Sequence, residues 1–461
     1  MFRGTVRTIH FVGIGGIGMS GIAEVMLNLG FRVTGSDLKA GVAVKRLLAL
    51  GAEVLLGHVT GNIGDADVVV YSSAVKADNP ELVEAIARGT PVIQRAEMLA
   101  ELMRLKHGIA IAGTHGKTTT TSMVAACLAA GGLDPTVVIG GRLDSLGGTN
   151  AKLGSGEYLV AEADESDGTF MLLSPTIALI TNIDPEHLDH WGEFSRTVEA
   201  FESFANKVPF FGFSVLCIDH PQVAALLPKV RRRVVTYGMA RHAHYRASHV
   251  ERDGLRTAFR VHRGDDELGT VRLAMPGVHN VSNAIGAIAL SCELGVPFDA
   301  VQKALDGFSG VQRRFTVVGE KAGVMVVDDY AHHPVEIEAT LAAAEGGFPD
   351  RRIIAVFQPH RFSRVASLWT EFCSAFHRAD VVLVCPVYAA GESPMEGIDA
   401  TRIAAEMRDR GHRGAEVVAS LDEATARLAA IVRPGDIVIS LGAGDVNRVC
   451  GELLTRLGDL A

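Results

Sequence analysis

No stretch of the chain stays apolar long enough to cross a bilayer as a helix, which excludes a helical membrane span. The N-terminal run MFRGTVRTIHFVGIGG breaks its short apolar stretch with glycines and has neither the hydrophobic region nor the small-residue cleavage site of a secretory leader. Cysteine is scarce: there are six, at 127, 217, 292, 373, 385 and 450, none closely paired, so no zinc site is expected. Cys127, Cys292 and Cys385 stand in apolar segments and read as core thiols, which suits the reducing cytoplasm. Positive charge is in deficit too. The 44 basic residues face 53 acidic ones, the net charge is -9, and the longest basic run is Arg231 to Arg233. Neither nucleic acid nor a membrane is therefore an expected partner. With 48% hydrophobic against 21% charged residues over 461 positions, the chain is globular, and roughly 150 residues per domain suggests about three domains.

Three segments each begin with a strand. The first opens with TIHFVGIGGIGMSGIAEVMLNLG, an apolar strand, a glycine turn and an amphipathic helix, and continues through FRVTGSD, AEVLLG, ADVVVYSSAV and TPVIQ. The second starts at HGIAIAGTHGKTTTTSMVAACLAAGG and adds strands at EYLVAEAD, TIALITNID, FSVLCID and RRVVTYG; antiparallel ribbons are expected from about 243 to 275 and a helix from about 280 to 293. The third, after GVQRRFTVVGE, runs through VMVVDDYAHHP, RIIAVFQPH, ADVVLVCPVY, AEVVAS and DIVISLGAGD. Alternating strands and helices predict mostly parallel α/β sheets. The expected fold is three α/β domains: Rossmann-like at 1–106, P-loop ATPase-like at 107–312 and Rossmann-like at 313–461.

Two glycine loops follow strands. Gly13, Gly15 and Gly18 fit G-x-G-x-x-G, a place where backbone amides face a diphosphate, and Asp37 ends the next strand where such folds put a ribose-binding acid. Alone, this loop says only nucleotide or dinucleotide, as in a nicotinamide dehydrogenase, with a tight turn that holds no ligand as the lesser alternative. The second, GTHGKTTT, keeps Gly113, Gly116, Lys117 and Thr118 of a phosphate loop, but Ile111 replaces its first glycine. Lysine and hydroxyl at a helix start still favour a triphosphate, with Lys117 on the β and γ oxygens and Thr118 on magnesium. Acids follow two strands: Glu162, Asp164, Glu165 and Asp167 in one case, and Asp184, His187, Asp189 and His190 in the other. At the carboxyl edge of a parallel sheet, Glu162 and His187 could hold metal beside the phosphates.

Together, GTHGKTTT, AEADESD and TNIDPEHLDH resemble the central domain of the Mur ligases, amide-forming enzymes of peptidoglycan precursor synthesis. HFVGIGGIGMSGIAEVMLNLG, GSD, YSSAV, PGVHNVSNAIGAIA, RRF, DDYAHHP, VFQPHRFSR and LGAGD, in this order across nearly the whole chain, are similar to the alanine-adding branch. The resemblance implies ATP and magnesium, expected as two ions, with UDP-N-acetylmuramate and L-alanine as substrates of a cytoplasmic monomer or homodimer. It places UDP, not a nicotinamide, against Gly15, Gly16 and Gly18, with Ser36, Asp37, Ser72 and Ser73 lining that site. ATP falls to Gly113, Thr114, His115, Gly116, Lys117, Thr118 and Thr119, together with Asn280, Asn283, Arg314 and Asp329. Thr118, Glu162 and His187 would be metal ligands, and Lys117, Glu162, His187 and Arg314 would carry catalysis. Tyr330, His360, Arg361 and Arg364 would receive the amino acid, since an arginine fork suits a carboxylate; Tyr330 and His332 or His333 would stand close to ATP or to the amino acid. Relatives that add later amino acids carry a carbamylated lysine, a feature the alanine-adding branch generally lacks, and Lys207 reads as an ordinary surface lysine. A peptide-recycling sister ligase and folylpolyglutamate synthase share the phosphate-loop logic; the GIGGIGMSG segment argues against the second.

Overall fold

The computed structural model describes residues 6–72, 74–143 and 149–459. Its first sheet comprises β1 (Thr8–Val12), β2 (Arg32–Asp37), β3 (Glu53–Leu56), β4 (Val68–Tyr71) and β5 (Val92–Gln94), all parallel in the order β3-β2-β1-β4-β5. The order reverses between β1 and β4, and that switch point is where open α/β sheets bind ligands.

The central sheet holds β6 (His107–Ala112), β7 (Thr136–Leu143), β8 (Thr149–Lys152), β9 (Tyr158–Glu162), β10 (Ile177–Ile180), β11 (Phe213–Cys217), β12 (Val234–Gly238), β13 (Tyr245–Asp253), β14 (Arg256–Arg263) and β15 (Asp266–Leu273). Their order is β15-β14-β13-β12-β11-β10-β6-β9-β7-β8. Strands from β12 through β7 run parallel, and β8 returns antiparallel to β7. The expected ribbon is β13 to β15, whose two-residue turns start at Gly254 and Gly264 with φ of +56° and +60°, the left-handed backbone that hairpin turns require. The third sheet is β16 (Thr316–Lys321), β17 (Val324–Asp329), β18 (Ile353–Phe357), β19 (Val381–Val384), β20 (Ala415–Val417) and β21 (Ile437–Leu441), ordered β16-β17-β21-β18-β19-β20. Only β16 is antiparallel to its neighbour.

The chain forms two compact units, one of Met1–Arg246, Val261–Leu268 and Ser282–Phe308, the other of Ala247–Arg260, Gly269–Val281 and Ser309–Ala461. In the first, the initial two strand-led segments share a single apolar core that includes Phe11 and Ile22 as well as Ala151, Ala161 and Ile180. The helix Ile17–Asn28 lies close against β8: a Cβ on Gly21 would come within 3.1 Å of Asn150 and Ala151. In the second unit Met325, Val327, Ala355 and Phe357 fill one face of the sheet, while Val324, Val326, Ile354 and Val356 fill the other. That alternation, buried on both sides, explains the continuous apolar runs of its strands. β7, β8 and β16 were not expected from sequence. β16 is a half-exposed edge strand with a register shift at Val317 to Gly319, so it lacks the apolar run that marks a central strand.

Candidate active site

The first glycine loop is held by the end of β2. Gly13, at φ +79°, and Ile14 both donate their N–H to the Ser36 carbonyl at 2.9 and 3.0 Å, and Gly15 N–H donates to Asp37 Oδ2 at 2.8 Å. Asp37 thus braces the loop. A Cβ on Gly15 would lie 2.8 Å from that carboxylate and would displace it from the loop, and one on Gly18 would lie 2.8 Å from Arg95 Nη1 and would push that guanidinium aside. Gly16 is exposed. Ser36 is fully buried and its hydroxyl donates to Glu81 Oε2 at 2.8 Å; its side chain faces the interior instead of lining a ligand site. Glu81 also meets His10 Nε2 at 2.8 Å, His58 Nδ1 at 3.0 Å and Asn62 at 3.0 Å, and these partners hold it ionised against the pull of burial. Ser72 is half-buried near Gly13, and Ser73 lies outside the described residues. Arg95, a cation beside the glycine loop, was not anticipated.

The phosphate loop links β6 to the helix Lys117–Ala130, with Gly113 at φ +135° and Gly116 at +81°. A Cβ on Gly113 would sit 2.0 Å from Thr181 Oγ1, and one on Gly116 2.5 Å from Asn283 Oδ1. The end of β10 locks the loop. Asn182 accepts His115 N–H at 2.7 Å and donates to the His115 carbonyl at 3.0 Å; Thr181 donates to the same carbonyl at 2.7 Å; Thr114 Oγ1 accepts Asp184 N–H at 2.9 Å. His115 Nε2 is 3.5 Å from Asp184. Thr119 is buried, and Thr118 is half-exposed at the helix start.

Lys117 Nζ donates to the Gly113 and Thr114 carbonyls at 2.6 and 3.1 Å and to Glu165 Oε2 at 2.7 Å. Burial opposes its charge, but Glu165 and Asp164 outweigh that and its pKa is raised. Burial pushes Glu165 up to about 7 even beside this ammonium. Glu165, Glu186 and His187 bring one ligand atom each within 4.8 Å of one another. Glu162 ends β9 in register with Ile111 and is not in that group. Lys207, partly desolvated, donates to the Met171 carbonyl.

In the second unit Asp329 is buried, accepts Phe315 and Ala331 N–H at 2.8 Å each, and is raised by burial to about 6. Arg314 reaches Glu336 at 3.4 Å and, with Arg313, lies over the Tyr330 ring at 5.6 and 4.9 Å. A row of rings follows: Tyr330 to His332 at 5.2 Å, His332 to His360 at 6.0 Å, and His360 stacked on Tyr388 at 5.4 Å. Arg364 donates to His360 Nδ1 at 3.3 Å. Burial, then His332, Arg364 and Arg361, lower His360 to about 4, so it is neutral near pH 7. His333 caps the helix Pro334–Gly347, and Asn280 donates to the Pro276 carbonyl. The unit therefore gathers Arg314, Asp329, Tyr330, His332, His360, Arg361 and Arg364.

Comparison with known proteins covers the same ground. The Mur ligase family, catalytic domain, matches residues 8–107; the Mur ligase middle domain matches 111–291; the Mur ligase, glutamate ligase domain, matches 313–444. A UDP-N-acetylmuramate--L-alanine ligase of Sorangium cellulosum is 55% identical over 459 residues, covering 99% of this chain and 98% of that one. The protein of that name in Geobacter sulfurreducens is 55% identical over 455 residues, 98% of each chain. The crystal structure of UDP-N-acetylmuramate-alanine ligase from Thermotoga maritima superposes with a TM-score of 0.82 at 32% identity, covering 98% of this chain and 100% of that one. Matched domain by domain and related along its whole length, the chain belongs to the Mur ligase family of ATP-dependent ligases.

Proposed function

We propose that the chain joins L-alanine to the lactyl carboxylate of UDP-N-acetylmuramate, converting ATP to ADP and phosphate, as a cytoplasmic step of peptidoglycan precursor synthesis. The observation that carries this reading is the 55% identity, from end to end, to proteins named for that reaction. Free thiols at all six cysteines support the reducing compartment. The working division is 1–106 for the UDP-substrate, 107–312 for ATP, and 313–461 for the amino acid together with part of the nucleotide.

A carboxylate acylates amines poorly because oxide is a poor leaving group. Transfer of the γ-phosphoryl group to the lactyl carboxylate gives an acyl phosphate; attack by the alanine amine then releases phosphate and leaves the amide. Lys117, at the start of its helix, neutralises phosphate charge as it develops, with the loop backbone fixed at His115 by Thr181 and Asn182. The Arg95 guanidinium beside Gly18, at the start of the helix, suits the diphosphate of the UDP-substrate, which would lie against Gly15, Gly16 and Gly18. Arg314 and Asp329 serve the nucleotide, and Arg361 and Arg364 the alanine carboxylate. A divalent cation fits beside Lys117: Glu165 Oε1 is buried with no hydrogen-bond partner, and two carboxylates with an imidazole form a suitable donor set. Glu165, Glu186 and His187 would hold it, with Thr118 and Glu162 as ligands toward the phosphates. When bound, it supplies further charge neutralisation.

The test is phosphate release from ATP with UDP-N-acetylmuramate present, measured with L-alanine and with a panel of other amino acids and short peptides. Release that requires both the UDP-sugar and L-alanine is expected. A requirement for a peptide in place of alanine would transfer the chain to the recycling ligases.

A further inference from the structure

The turn that carries Arg361 is strained. Its φ of +69° lies where residues other than glycine cost about 1–3 kcal/mol. It also occupies the N-cap of the helix Phe362–Ser367 without a side-chain cap of its own, and a helix start leaves N–H groups in need of an acceptor. The acceptor comes from a distant loop. Glu392 accepts Ser363 N–H at 3.0 Å and Ser363 Oγ–H at 2.6 Å. The same carboxylate accepts Arg361 Nε–H at 2.6 Å. Burial would raise the Glu392 pKa, but the Ser363 and Arg361 bonds bring it down to about 2, so the clamp is charged at any physiological pH. Its loop is fastened along the same turn: Arg361 N–H donates to the Tyr388 carbonyl at 2.9 Å, Tyr388 N–H donates to the Pro359 carbonyl at 2.8 Å, and the Tyr388 ring stacks on His360.

A guanidinium is planar with five donors in fixed directions, so holding Nε sets the direction of the remaining four. Arg364 stands on the same short helix and reaches back to His360, so a loosened helix start would move both arginines. We infer that Glu392 is a positioning residue for the incoming amino acid: it clamps Arg361 and caps the helix behind it, fixing Arg361 and Arg364 in the arrangement that receives an α-carboxylate. This rests on the proposal that Arg361 and Arg364 form the amino-acid site. Glu392 itself touches no substrate.

Steady-state kinetics of Glu392→Ala, Glu392→Gln and Arg364→Ala, each with its thermal midpoint, test the inference. Glu392→Ala should raise KM for L-alanine at least tenfold, leaving kcat and the KM values for ATP and UDP-N-acetylmuramate within about twofold, because orientation of the binding fork is what is lost. Glu392→Gln keeps an acceptor for Ser363 but gives Arg361 a neutral partner, so it should fall between; it also stands in should the alanine variant fail to fold. A general structural role would instead move all three KM values and the midpoint together, and that result overturns the inference. So does an unchanged alanine KM in a folded Glu392 variant. Arg364→Ala separates the two levels: no rise in its alanine KM defeats the amino-acid site itself, whereas a rise there without one in the Glu392 variants defeats only the clamp.

Discussion

Replacing Glu165 by glutamine probes the phosphate loop at its most charged point. Lys117 Nζ lies 2.7 Å from Glu165 Oε2, and the two side chains are 16% and 2% exposed. Removing one partner of such a buried pair costs about 3–5 kcal/mol, chiefly because the survivor stays charged without compensation. The loop carbonyls at 2.6 and 3.1 Å and nearby Asp164 still face the ammonium, so the lower end, about 3 kcal/mol, applies to Glu165→Gln. Lys117→Met should cost less. The carboxyl it leaves behind is already raised to about 7 and takes up a proton, whereas the ammonium that Glu165→Gln leaves behind still faces Asp164 and the two loop carbonyls, which favour its charge.

The sign of the pH effect follows. Because the folded pKa of Glu165 exceeds its ordinary 4.5, its contribution to stability is full below about pH 4.5 and is lost as pH rises through about 7. Lys117→Met should therefore compare better with the wild type near pH 6 than near pH 8. The double variant, a neutral pair of similar volume, should recover most of the loss. Calorimetry of the four proteins supplies the cycle, and about 3 kcal/mol corresponds to roughly 6–12 °C in the midpoint of a body of 150–250 residues. Additive single effects with no pH dependence would refute the coupled pair.

Three further outcomes are expected. Asn182→Ala removes the bonds to both backbone groups of His115 at 2.7 and 3.0 Å, each worth about 1 kcal/mol; KM for ATP should rise about tenfold, while calorimetric binding of the UDP-substrate stays as it was. Gly116→Ala forces a left-handed backbone, at about 1–2 kcal/mol, and a Cβ 2.5 Å from Asn283 Oδ1; binding of a fluorescent ATP analogue should vanish and return only in part when Asn283→Ala relieves the contact, full recovery being the contrary result. Asp329, raised to about 6 from 3.8, destabilises the fold progressively as pH climbs from about 4 to about 6, by up to about 3 kcal/mol. Asp329→Asn should flatten the urea midpoint across that window, and an unchanged slope would assign the pH dependence to other groups.

Local pattern made all the strands but β7, β8 and β16, both glycine loops and the acids after β9 and β10 legible in the sequence, because each is announced within a few residues by an apolar run and a breaker. Partner choice was not. Glu162 and Glu165 follow the same strand, and the turn that aims Glu165 back at Lys117 is set by Asp164 accepting Ser166 N–H and Asp167 accepting Thr169 N–H. Ser36 looked like a ligand-facing hydroxyl, yet Glu81, 45 positions away, turns it inward. Arg95 and Glu392 likewise act on loops far off in sequence, and no periodicity carries that information.

Yet the two glycine loops share one solution. In the first, β2 pairs with β1, and its terminal Ser36 and Asp37 take up the N–H groups of Gly13, Ile14 and Gly15. In the second, β10 pairs with β6, and Thr181 and Asn182 just beyond it fix the backbone of His115. A loop that must present some amides to an anion has to satisfy or orient the rest, and only the adjoining strand reaches them at hydrogen-bonding distance. Polar residues at the end of the strand paired with a glycine-loop strand are thus bracing residues before they are ligand-binding ones. It follows that Asp37→Ala should loosen the first loop and weaken UDP-substrate binding even if Asp37 never meets the ribose, and an Asn at that position, which keeps an acceptor for Gly15, should restore most of the affinity. Equal loss in both variants would return Asp37 to direct contact with the ligand.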